Sequence, residues 1–232
     1  MVTQIFAHRG LHTHERENTV AAFLAARAQG VDGVELDVRR TVDGALVIHH
    51  DPRCEGMDIS STRQRDLPTY VPTLDDAMES CEGMRVNVEI KNNQDRSETS
   101  YDETGELARQ VVRHLQQINW TDRVIISSFD RATCANARSF DADIDVGWLL
   151  WNVDLASAIT QAHILGFTAV HPNFKELNPA AMMLAREMDL LVNTWTVNTR
   201  TALRAMIELE VNAVITDRPV RAKTLLSGTS SD

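Results

Sequence analysis

Short apolar runs rich in β-branched residues alternate along the chain with longer stretches whose apolar positions recur every third or fourth residue. The first pattern is that of strands and the second that of helices. The strand-type runs are QIFAHRG (4–10), GVELDV (33–38), RVNVEIK (85–91), RVIISSF (123–129), IDVGWLL (144–150), FTAVHP (167–172), LLVNTWTV (190–197) and NAVITD (212–217). Helix-type patterns lie between most of them, at 19–29, 74–82, 103–118, 131–139, 153–165, 179–188 and 199–209, with a last one from 218 to about 226. Several open on a side chain able to accept from the first free backbone N–H groups: Asn18 or Thr19, Thr73, Asp130, Asn178 ahead of Pro179, and Asp217 ahead of Arg218-Pro219.

Eight strands, each followed sooner or later by a helix, predict an α/β chain with a parallel sheet, and eight is the number that closes into a TIM (β/α)8 barrel. An open doubly wound sheet is the competing architecture, but it usually carries a glycine-rich first strand-to-helix turn, and none stands here. One stretch breaks the rhythm. In TVDGALVIHHDP (41–52), Asp43-Gly44 is a hairpin signal, so a small β-hairpin is expected after the second strand. With no linker or low-complexity run, residues 1–226 read as a single catalytic barrel domain and 227–232 as a polar C-terminal tail.

Composition narrows the partners. Apolar residues make up 43% of the 232, enough for a sizeable core, and the formal charge is −10. That acidity argues against binding nucleic acid and against stable association with an anionic membrane. It leaves room for an anionic small-molecule substrate, because local cations or a metal can invert the field inside a pocket. Cys54, Cys81 and Cys134 are scattered and odd in number, which suits reduced thiols and a cytoplasmic location. MVTQIFAHRG lacks the apolar region of a secretory leader, so none is expected. A homo-oligomer is left open.

In a barrel the chemistry gathers at the C-terminal ends of the strands. Polar residues collect there: His8 and Arg9, Glu35 and Asp37, Glu89 and Lys91, Ser127 and Ser128, His171, Trp195 and Asn198, Thr216 and Asp217. Residues two apart in a strand share a face, so Glu35 pairs with Asp37 and Glu89 with Lys91. Adjacent strands would then bring three carboxylates and an ammonium into one small volume. Such a cluster needs either raised pKa values or a cation. Three hard oxygen donors suit Mg²⁺ or Ca²⁺ better than zinc. His8 and a second histidine from HHDP offer a general base and a general acid near neutral pH. Arg9 and Lys91 complement phosphate oxygens. Together these groups describe phosphoryl-ester cleavage.

The chain resembles the glycerophosphodiester phosphodiesterases in AHRG, ENTVAAF, GVELDVRRTVDGALVIHHDP, VPTLDDA, NVEIK, VIISSFD, NTWTVN and AVITDRP, an ordered set that spans nearly its whole length. The resemblance implies a TIM barrel with a divalent metal held by Glu35, Asp37 and Glu89. It also implies catalytic histidines at His8 and His50, with Arg9 and Lys91 near the phosphate. His50 is the match because it directly precedes Asp51-Pro52, and His49 should face the other side of the hairpin. Phe129 and Trp195 would be apolar walls for the substrate's alcohol moiety. Arg16 stands where the family commonly has proline, which should loosen that loop around Glu17. The stretch from Pro52 to Thr73 is short and polar, so the lid insertion of many relatives is not expected. His12, His14, His114 and His163 match nothing functional, and His171 either lines the site or packs.

The activity expected is hydrolysis of glycerophosphodiesters to an alcohol and glycerol phosphate. His8 is taken as base and His50 as acid, although the sequence leaves the roles interchangeable. The nucleophile is water or the glycerol 2-hydroxyl. Three alternatives stand beside it: a phospholipase D-like enzyme acting on lysophospholipids, a metal-dependent sugar isomerase or lyase, and an inactive binding barrel.

Overall fold

A computed structural model describes residues 2–94 and 100–229. Its strands are β1 (Gln4–His8), β2 (Gly33–Arg40), β3 (Leu46–Ile48), β4 (Arg53–Cys54), β5 (Met57–Asp58), β6 (Arg85–Ile90), β7 (Val124–Ser128), β8 (Asp145–Leu150), β9 (Ala169–Pro172), β10 (Leu191–Thr194) and β11 (Ala213–Thr216). The helices are α1 (Val20–Ala28), α2 (Leu74–Ser80), α3 (Glu106–Gln117), α4 (Arg131–Phe140), α5 (Leu155–Ile164), α6 (Pro179–Glu187), α7 (Arg200–Glu208) and α8 (Pro219–Thr229). Eight parallel strands run in the order β1-β2-β6-β7-β8-β9-β10-β11, and β11 pairs back onto β1 to close the barrel. The helices lie between them in sequence, so the fold is the expected (β/α)8 barrel.

The strands are buried on both faces, as a parallel sheet under helices must be. Val34, Leu36 and Val38 of β2 alternate with Glu35 and Asp37, and all five are buried. The apolar set belongs to the core that also takes in Phe23 and Ala26 of α1 and Met78 of α2. The polar set therefore points to the barrel axis. Helix starts follow the capping logic: Thr19, Asp130, Asp154, Asn178 and Thr199 each accept from a backbone N–H of the first turn. At α2, Thr73 and Asp76 form a reciprocal capping box.

The expected hairpin is present. β3 runs antiparallel to the end of β2, with Val38 opposite Ile48 and Arg40 opposite Leu46. The turn is set by Gly44 at φ +83 and by the Thr41 hydroxyl donating to Asp43 at 2.6 Å. Beyond it, β4 and β5 and two short 3₁₀ turns replace any long lid. The apolar residues of this stretch, Cys54, Ile59, Leu67 and Val71, pack with Val47 into a small cluster of their own.

Some boundaries move. α3 starts at Glu106 rather than 103, because the Asp102 carboxylate accepts from the backbone of Thr104 and Leu107 and Gly105 takes a left-handed conformation at the cap. β10 ends at Thr194, because Trp195 turns its indole to donate to the His171 carbonyl at 2.6 Å. α8 continues to Thr229, so residues 227–229 belong to a helix, and 230–232 lie outside the described residues. Cys54, Cys81 and Cys134 are all free and buried. No helix among the described residues is long and apolar enough to cross a membrane.

One glycine is dictated by the barrel interior. A Cβ on Gly147 of β8 would overlap the imidazole of His171, which reaches across from the neighbouring strand β9. Gly147→Ala is expected to lower stability by about 1–3 kcal/mol, the usual range for overpacking a filled core. Chemical denaturation measures it, and an unchanged midpoint would show that the ring is free to move aside.

Candidate active site

The first strand ends in an unusual turn. Arg9 and Gly10 both have positive φ, +54 and +81, and a Cβ on Gly10 would come within 2.8 Å of Ala22. Glycine is therefore required there, and the turn aims the Arg9 backbone N–H at Glu35 Oε2, 3.0 Å away. The Arg9 guanidinium reaches Glu17 at 2.8 Å and Asp37 at 3.4 Å. Asn18, also at positive φ, donates to Asp37 at 2.6 Å. The loop that was expected to be loose at Arg16 is pinned, with that guanidinium stacked 3.8 Å over the Tyr70 ring.

β2 and β6 are neighbours in register, with Glu35 opposite Asn87 and Asp37 opposite Glu89. Glu35, Asp37 and Glu89 each offer an oxygen within 4.8 Å of the others, and all three residues are buried. Lys91 Nζ bridges two of them, 2.7 Å from Glu89 and 3.2 Å from Asp37. Burial, then the Asp37 charge, pushes the Glu35 carboxyl up to about 8. For Asp37 burial acts in the same direction, but Lys91 and Arg9 outweigh it and hold the carboxyl below its ordinary range. Proximity to Glu89 and Asp37 likewise raises the Lys91 ammonium against the effect of burial. These three carboxylates could hold a divalent cation. The donors are hard oxygens, they converge, and Glu35 Oε1 is buried without a partner among the described residues.

His8 belongs to a second cluster. Its Nδ1–H donates to Asp217 Oδ1 at 2.6 Å, and its Nε2 lies 3.8 Å from Glu35 Oε2. His12 Nε2 approaches the same Asp217 oxygen at 3.3 Å, and Asn198 donates to the other at 2.5 Å. Burial lowers the His8 pKa, but Asp217 and Glu35 outweigh it and the net shift is upward. Burial raises the Asp217 carboxyl, yet the bonds from His12 and His8 take it well below the carboxylate range.

His50 comes in from the hairpin. Its Nδ1 donates to Asp51 at 2.8 Å, and the Arg39 guanidinium holds its carbonyl at 2.5 and 2.9 Å. Burial lowers its pKa. His49 instead bonds the Asp51 carbonyl at 2.9 Å and does not line the cleft.

A cleft of about 790 Å³ joins these groups, with His8, Arg9, Glu35, His50, Glu89 and Lys91 on one side. Phe129, Leu149, Trp151, Trp195 and Ile215 make the other. Phe129 and Trp195 meet edge to face at 5.3 Å. Every site residue expected from the sequence lies in or against this cleft, Asp37 through its contacts with Arg9 and Lys91. His171 does not. It is fully buried beneath the cleft, accepts from Asn193 at 3.0 Å, and burial lowers its pKa to about 3. His12, which matches nothing functional in the sequence, is part of the Asp217 cluster. Trp151 also lines the cleft, yet just past a strand end in the apolar run WLLW its sequence position carries no signal of that role.

A closed (β/α)8 barrel whose strand ends gather carboxylates, histidines and cations in one cleft has the build of a phosphoric diester hydrolase. The chain belongs to the glycerophosphoryl diester phosphodiesterase family, whose sequence model matches residues 8–221. It is similar to the glycerophosphodiester phosphodiesterase of Caldanaerobacter subterraneus, 27% identical over 94% of this chain and 96% of that one. In fold it resembles a glycerophosphodiester phosphodiesterase from Parabacteroides distasonis, with a TM-score of 0.85, 23% identity and coverage of 99% and 98% of the two chains. It also resembles an Oleispira antarctica phosphodiesterase solved with its product sn-glycerol-3-phosphate, with a TM-score of 0.84, 21% identity and 97% coverage of each chain.

Proposed function

We propose that this cleft hydrolyses glycerophosphodiesters to an alcohol and glycerol phosphate, with Mg²⁺ or Ca²⁺ held by Glu35, Asp37 and Glu89. The observation that carries the reading is the convergence of those three carboxylates beside two histidines in one cleft. A divalent cation bound there supplies Lewis acidity to the phosphoryl oxygen. The protein supplies the rest. Arg9 and Lys91 each pair with two carboxylates, and their remaining N–H donors are available to the phosphate.

His8 acts as base: Asp217 fixes its Nδ1–H, leaves Nε2 to take the nucleophile's proton, and strengthens its basicity. His50, whose lowered pKa makes its protonated form the readier donor, protonates the leaving alkoxide. Phe129 and Trp195 form an apolar wall for the alcohol moiety. The acidic chain does not recruit nucleic acid, and its free thiols suit the reducing cytoplasm.

Small, soluble diesters are expected to be better substrates than lysophospholipids. The stretch where a lipid-gripping lid would sit has turned its apolar residues inward. It therefore offers an acyl chain little of the roughly 0.8 kcal/mol per buried CH₂ that a lipid site provides. Release of glycerol 3-phosphate from glycerophosphocholine and glycerophosphoethanolamine, with and without chelator, tests the activity. Comparing kcat/KM with lysophosphatidylcholine below its micelle threshold tests the preference. A lysolipid value well above both diesters would favour a phospholipase D-like enzyme, for which the exposed Trp151 at the cleft rim would be the first contact.

A further inference from the structure

Asn87 lies on β6 two residues before Glu89, on the same face of the strand, and is the register partner of Glu35 on β2. It is 1% exposed and lies at the base of the cleft. Neither its amide nitrogen nor its amide oxygen has a hydrogen-bond partner among the described residues. Other buried asparagines are bonded: Asn18 to Asp37, Asn92 to Asp102 and Thr133, Asn193 to His171. A buried amide with nothing to bond destabilises a fold, and such groups call for a reason. Its register partner Glu35 carries Oε1, a carboxylate oxygen that is likewise buried and unpartnered.

We propose that Asn87 is a fourth protein group of the divalent-cation site, an inference that rests on reading Glu35, Asp37 and Glu89 as the ligands. Its amide oxygen is a neutral, hard donor for the cation or for a water the cation carries. Neutrality matters here. Three carboxylates already crowd the site and repel one another, and a fourth negative group would add to the repulsion, whereas an amide adds an oxygen without charge.

The test is calorimetric titration of chelator-treated protein with Mg²⁺ and with Ca²⁺, beside thermal melts of the metal-free protein. The samples are the unmodified chain, Asn87→Ala, Asn87→Leu and Glu89→Gln. Both Asn87 variants should bind the cation roughly 10–100-fold more weakly, the usual effect of losing a supporting group around a metal. Metal-free Asn87→Leu should melt at or above the unmodified protein, because an apolar side chain of similar size replaces an unsatisfied amide. Cation binding within about twofold of the unmodified chain in either variant, with Glu89→Gln binding abolished, would overturn the role of Asn87 and leave the carboxylate site standing. Weaker binding with lower metal-free melting in both variants would reduce Asn87 to a packing residue and overturn it too. No binding by the unmodified chain would take down the carboxylate reading itself.

Discussion

Glu35→Gln and Glu89→Gln should each abolish turnover while leaving the metal-free fold intact. Glutamine keeps the size of the side chain and removes one of the three carboxylates that a divalent cation would need as donors. Loss of a preorganised charged group at a reacting phosphate is worth roughly 10²–10³-fold or more. Chelation should do the same to the unmodified enzyme, reversibly. Melting curves with and without chelator separate a catalytic site from a structural one, because unfolding on metal removal would contradict the assignment.

The same cluster fixes a pH dependence. In the metal-free protein Glu35 holds its proton up to about pH 8. A cation needs the carboxylate, so binding below that pH must expel the proton, and affinity should fall as pH falls, by about tenfold per unit. Titration in two buffers of different ionisation enthalpy reads the proton directly, close to one released at pH 7 and fading above pH 9. Release that stays at zero throughout would mean Glu35 is already ionised or is not a ligand.

His8→Ala and His50→Ala should each lower kcat by about 10²–10⁴-fold with KM nearly unchanged, because proton transfer contributes only in the transition state. His49→Ala should remain within a few-fold of the unmodified enzyme, since its ring bonds the Asp51 carbonyl away from the cleft. Steady-state kinetics on a soluble diester decides. A larger loss at His49 than at His50 would reverse the facing of the hairpin's histidine pair, and equal losses in kcat and 1/KM would move either histidine from proton transfer to substrate binding.

Much of this architecture is legible in the chain because its signals are local. Eight apolar runs, their helical spacers and the Asp43-Gly44 turn are each written within a few residues, and two-residue spacing alone puts Glu35 with Asp37 and Glu89 with Lys91 on shared faces. What was not legible depends on register between distant strands. Asp217 could be named as a strand-end residue, yet its bonds to His8 and His12 follow only from β11 closing against β1. The unpartnered amide of Asn87 has no trace in NVEIK, because absence of a neighbour is a property of the whole barrel interior. Helix α3 was misplaced at its start because a single side chain, Asp102, took the backbone bonds that an earlier turn would have used.

The hydrogen bond between His8 and Asp217 spans 209 residues of sequence. At synthesis rates of about 5–20 residues per second, the first partner waits roughly 10–40 s for the second to leave the ribosome. Through that interval β1 can pair with β2 but has one open edge, and the His8 Nδ1 lacks the Asp217 carboxylate that fixes its tautomer. A nascent or truncated chain ending before β11 therefore has the Glu35, Asp37 and Glu89 trio within its length but lacks an oriented His8. With His8 as the base, a chain that stops before β11 is expected to turn over substrate far more slowly than one in which β11 has closed against β1.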